Sequence, residues 1–154
     1  MAYLHWSRDL DTGIAEIDAQ HRRIVDYINR LASNQGNGNL KAVAHVLDEL
    51  IEYTLLHFSY EEELQAQANY AFYASHKRAH DKFTKRIHEF KLRAAKGENV
   101  GHEVLAMLKK WLVNHIKGED ADYVAAVKKS LNLPVDAPAS TGGWFSNTLG
   151  KLFG

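Results

Sequence analysis

Apolar residues return at alternating intervals of three and four along four long stretches of this chain. Ile14, Ile17, Ile24, Ile28 and Leu31 form the first line; Val43, Leu47, Leu50 and Leu64 form the second. Phe83, Ile87 and Phe90 mark a third, and Val104 and Leu108 a fourth. This spacing is one face of an α-helix and the seam of a helix bundle. It predicts helices from Ile17 or Asp18 to about 33, from 40 to 64, from 70 to 95 and from 100 to Gly118, with a short one from Asp120 to Leu131. Asn34-Gln-Gly-Asn-Gly-Asn39 and Lys96-Gly-Glu-Asn99 separate them, because glycine and asparagine favour turns. Residues 1 to about 16, with Trp6, Leu10, Gly13 and Ile14, read as an extended arm against the body. The fold class is therefore all-α: an antiparallel up-down-up-down four-helix bundle with an extended N-terminal arm and a short C-terminal helix plus tail.

Polar residues interrupt these seams in a consistent way. Of nine histidines, five fall on the apolar lines: His21, His57, His76, His80 and His115. His5, His45, His88 and His102 fall in the arm or off the lines. His76 and His80 are four apart, so both rings point the same way and can hold one metal ion. A buried polar group without a partner costs about 1–3 kcal/mol, so histidines on core faces need company. Glu61 follows His57 by one turn on the same face and must be neutralised, paired or metal-bound. Separately hydrogen-bonded core histidines are the plainer alternative. The division of histidines between seam and surface favours one shared site. Asp120 lies five residues after His115, about 140° from its face on an ideal helix. It joins the site only if the helix breaks between them, which Gly118 would permit, and by itself it reads as a helix cap.

Composition narrows the chemistry. The chain has 154 residues, the length of one domain with a single core. Lys plus Arg equals Asp plus Glu at 19 each, which argues against nucleic acid as a partner. There is no cysteine, so disulfides, zinc-thiolate and iron–sulfur sites are excluded. No signal peptide is read at the N-terminus and no apolar run nears the roughly 20 residues of a membrane span, so a cytoplasmic location is expected. An imidazole-rich, cysteine-free ligand set suits iron better than magnesium or calcium; zinc and manganese fit the same ligands. From about residue 132 the composition changes. Domain 1–131 is followed by a linker rich in Pro, Ser and Gly, then by Trp144, Phe145, Leu149, Leu152 and Phe153, which can share one face of a short helix. Residues 144–153 either fold back on the bundle or stay loosely ordered, or else form a protein or membrane-surface contact.

Four motifs resemble the hemerythrin family, and within it the bacteriohemerythrins. They are Ile17-Asp-Ala-Gln-His21, His57-Phe-Ser-Tyr-Glu61, His76-x-x-x-His80 and His115-Ile-Lys-Gly-Glu-Asp120, and the match covers about residues 3 to 123. Myohemerythrin, a relative, is itself an up-down-up-down bundle, so resemblance and periodicity lead to the same architecture. The resemblance implies two non-haem iron ions bridged by oxide or hydroxide. His76, His80 and His115 would hold one, His21 and His57 the other, and Glu61 and Asp120 would bridge. Counted this way, five imidazoles and two bridging carboxylates make nine bonds, and the oxide or hydroxide brings eleven, against twelve for two octahedral ions. The open place is where dioxygen would bind. Trp111, Leu112 and Ile116 match family positions that line a dry oxygen pocket; ordinary core packing describes them equally well.

The expected function is reversible dioxygen binding for storage, transport or delivery by a non-enzymatic monomer. An oxygen or redox sensor acting through a separate partner is the first alternative. A di-iron oxidase or peroxidase is the second, although ferritin-like oxidases use Glu-x-x-His pairs and this chain has none, its nearest approach being Asp18-x-x-His21.

Overall fold

The computed structural model describes residues 2–130. The tail and its expected contact through residues 144–153 lie outside the described residues. An arm with one 3₁₀ turn at Arg8–Leu10 leads into α1 (Ala15–Gly36), α2 (Leu40–Gln67), α3 (Tyr73–Ala95) and α4 (Gly101–Asn114). A π-helical turn, His115–Asp120, then joins α4 to α5 (Ala121–Ser130). Helix α1 packs on α2 and α4, and α2 on α3; α3 and α4 are the most loosely packed neighbours in the ring. Among the described residues no helix is long and apolar enough to cross a membrane.

Sequence signals set the helix ends. Asp18, in the first turn of α1, is fully buried and accepts hydrogen bonds from the Thr12 and Gly13 backbone N–H groups at 2.8 and 3.1 Å and from the Thr12 hydroxyl at 2.7 Å. The arm is further held by Leu4 and Leu10, both buried, and by paired bonds between the Leu4 backbone and the Asn29 amide. Asn39 caps α2 by accepting from the Ala42 N–H at 3.1 Å. Gly38 and Gly97 take left-handed φ of 69° and 88° after α1 and α3, where a side chain would be strained.

The apolar lines face inward as expected. Every residue of the first two seams is buried; the third and fourth spacings extend to Tyr73, Ala94 and Trp111, which are only half-buried. Boundaries differ by a few residues: α2 runs to Gln67, and α3 starts at Tyr73 rather than 70 because Asn69 (φ 51°) turns the chain. The expected break at Gly118 does not occur. Gly118 is exposed, is not left-handed, and a Cβ there would meet nothing. The helix instead widens by one residue, so its hydrogen bonds run between residues five apart.

The core has two apolar parts. A large one spans Ile24–Leu31, Val43–Ile51, Phe83–Phe90 and Val100–Ile116; a smaller one joins Ile14, Ile17, Tyr60, Leu64, Tyr123 and Val127. Between them lies the layer of buried histidines and carboxylates, carried by α1, α2, α3 and the π turn. Replacing Asp18 with alanine strands three donors of the arm, and urea unfolding should show a loss of about 1–3 kcal/mol.

Candidate metal centre

The helical register brings the seven expected residues to one point. α1 supplies His21, α2 supplies His57 and Glu61 one turn apart, α3 supplies His76 and His80, and the π turn carries His115 and Asp120 at its two ends. All seven are buried, the most accessible being His76 at 5%. On an α-helix Asp120 would point elsewhere. A turn widened to five residues stacks it beside His115, and the two side chains meet at 3.0 Å.

Each carboxylate divides its oxygens between two sets of imidazoles. Glu61 Oε1 is 3.0 Å from His57 Nε2 and 3.5 Å from His21 Nε2. Glu61 Oε2 is 3.1, 3.4 and 3.6 Å from the Nε2 atoms of His80, His115 and His76. Asp120 repeats the division: Oδ2 lies 3.1 Å from His21, and Oδ1 lies 3.0 and 3.5 Å from His115 and His76. The ligand atoms form two groups, each within 4.8 Å, that overlap in Glu61 and His115. His115 Nε2 shares Glu61 Oε2 with His76 and His80, and Asp120 Oδ1 with His76.

This donor set fits metal cations. His76, His80 and His115 Nε2, Glu61 Oε2 and both Asp120 oxygens are buried without a hydrogen bond. Such atoms are costly unless a cation sits among them. Neighbouring ligands on one ion with bonds of about 2.1 Å lie about 3 Å apart, close to the separations seen. Protons are the only cations that the side chains themselves bring. Burial opposes charge on His21, but close contacts with the Asp120 and Glu61 carboxylates, and their negative charges, outweigh it and raise its pKa to about 9. Burial likewise opposes ionisation of Glu61, yet electrostatic attraction to His57 and close contacts with the His115 and His21 imidazoles hold its pKa well below the usual carboxylate range.

Residues 12–127 match the family profile described as Hemerythrin HHE cation binding domain. The chain belongs to the hemerythrin family. It is 45% identical to a bacteriohemerythrin of Pseudomonas aeruginosa over 154 residues, covering all of both chains, so the segment beyond residue 131 has a counterpart there. A bacteriohemerythrin of Methylococcus capsulatus is 33% identical over 125 residues, covering 80% of this chain and 95% of its own. The crystal structure of wild-type hemerythrin superposes with a TM-score of 0.78 at 30% identity, covering 82% of this chain and 98% of that one. Hemerythrins are in general oxygen-binding di-iron proteins and typically not enzymes.

Around this hemerythrin cluster lie further partners, of which Gln20, Glu119, Tyr123 and Phe58 were not singled out by sequence reasoning. His57 Nδ1 is 2.7 Å from Gln20 Oε1, and His115 Nδ1 is 2.7 Å from Glu119 Oε2. With Nδ1–H donating outward, each ring turns its Nε2 lone pair inward. Tyr123 donates to Glu61 Oε1 at 3.0 Å, and burial together with the Glu61 charge pushes the Tyr123 pKa well up, so it keeps its proton. Phe58 stacks on His80 at 3.8 Å, and Trp111 is sandwiched between His115 at 4.8 Å and Phe83 at 3.9 Å. Trp111 thus covers the three-histidine side, while Leu112 and Ile116 sit in the large core. A signal for two of the partners was present in the sequence: Gln20 adjoins His21, and Glu119 is four residues from His115.

With its pKa near 9, His21 carries a proton at pH 7 that a bound metal must displace. Adding metal to the metal-free protein at pH 7 should therefore acidify a weakly buffered solution, read with an indicator dye, and affinity should fall as pH is lowered.

Proposed function

We propose that this hemerythrin binds dioxygen reversibly at a di-iron centre, for storage, transport or delivery. The observation that carries this is the division of Glu61 and Asp120 between a pair and a trio of histidines. His76, His80 and His115 would hold one iron, His21 and His57 the other, and Glu61 and Asp120 would be shared between the two. Such a pair of ions would supply the two electrons that reversible binding of dioxygen requires.

The protein's own part is to orient and to exclude. Gln20 and Glu119 fix the rings of His57 and His115, and Tyr123 fixes Glu61. Leu112, fully buried, and Ile116, at 3% exposure, keep water from the dioxygen side, as an oxygen pocket requires, and Trp111 shields His115. Tyr123, the hydroxyl hydrogen-bonded to Glu61, holds its proton. A dry site without a proton donor favours release of dioxygen over its reduction.

An optical spectrum of the reduced, iron-loaded protein tests this directly. A visible charge-transfer band should appear in air and vanish under argon without reductant; immediate, permanent oxidation would point to sensing or oxidase chemistry. His80→Ala should lose iron, measured as metal per chain, and full retention would count against the ligand assignment. Replacing Leu112 with a smaller or polar residue should speed autoxidation severalfold, followed as decay of that band.

A further inference from the structure

Two openings lead from the surface to the buried cluster, and their linings differ. A groove of about 650 Å³ along the loose α3–α4 edge ends on His115. Its floor is aromatic, with Phe83, Phe90 and Trp111, and its rim carries Lys82, Arg86 and Lys110 beside Glu103 and Glu119. The second, of about 280 Å³, lies between the start of α3 and the π turn and ends on His76. It is lined by Glu119, Asp122, Ser75, Tyr70 and Phe72, with no lysine or arginine. Its inner wall is the most accessible of the five histidines, and His76 Nε2 lacks a hydrogen-bond partner.

We propose that this acidic pocket is the port through which divalent cations enter and leave the cluster, with Asp122 and Glu119 as its capturing carboxylates and His76 as the first buried ligand met. The inference rests on the metal-centre reading above. A mouth lined by one sign of charge concentrates the opposite ion and speeds its arrival in a salt-dependent way. The wider groove sets three cations against two carboxylates and so does not concentrate metal ions, whereas neutral, apolar dioxygen is indifferent to either sign. Glu119 lines both openings, with one oxygen engaged by His115, so it cannot be varied without moving a ligand. Asp122 and Ser75 are exposed and touch no ligand, which makes them the residues to change.

The test is stopped-flow loading of the metal-free, full-length chain with cobalt(II), whose visible absorption reports binding, with circular dichroism verifying helix content. Loading should slow in the order wild type, Asp122→Asn, Asp122→Lys, with the last slower by about 3–10-fold and less sensitive to salt. Ser75→Trp, which plugs the mouth, should also slow it, while Ala106→Trp in the groove should not. All variants should still reach two ions per chain. Wild-type rates in both Asp122→Lys and Ser75→Trp, or slowing by Ala106→Trp alone, would overturn the port with the metal centre intact. Failure of the wild-type chain to take up two ions at equilibrium would overturn the metal-centre reading and the port together.

Discussion

Two carboxylates sit at zero exposure in the middle of a helix bundle, and the rest of the structure is arranged around that fact. A carboxylate taken from water into such a place loses several kcal/mol of solvation that only close opposite charge can return. Five imidazoles on four segments of the chain converge on Glu61 and Asp120 at 3.0–3.6 Å, which is the return available from side chains alone. The atoms still left without hydrogen bonds face one another across the centre, and they ask for metal cations.

A polar layer of this kind divides the core, so each apolar half must hold the helices in register independently. The large half does so through Ile, Leu, Val and Phe of α1 to α4, the small half through Tyr60, Leu64 and Tyr123 with Ile14 and Ile17. Rigid packing on both sides sets where the layer's side chains stand, and Gln20, Glu119 and Tyr123 set how they turn. The same rigidity accounts for the π turn. Widening a helix by one residue weakens its backbone bonding locally, and it persists here because it places Asp120 beside His115 and His21.

Access to the layer follows from how the ring of helices closes. Three of its four edges pack closely, and the fourth leaves the aromatic groove against His115. The acidic pocket arises separately, where Asn69 turns the chain and delays the start of α3, leaving His76 near the surface beside the π turn. The two linings differ in charge: the groove mixes Lys82, Arg86 and Lys110 with Glu103 and Glu119, while the smaller pocket carries Asp122 and Glu119 without lysine or arginine.

Much of this was legible from residue order. Helical periodicity is local, so the seams of α1 and α2 could be read residue by residue, and five histidines on core faces announced a shared site before any contact was known. Glu61 followed because it shares a helix face with His57. Asp120 did not, since the α-helical period points it away; a π turn depends on tertiary contacts that no local pattern encodes, and only the resemblance to hemerythrins placed it. The pairing of Nδ1 atoms with Gln20 and Glu119, the sharing of each carboxylate between two sets of nitrogens and the two openings depend on distances between helices. Sequence by itself determined which side chains face inward, through the 3.6-residue repeat; tertiary structure alone decided which of their atoms meet.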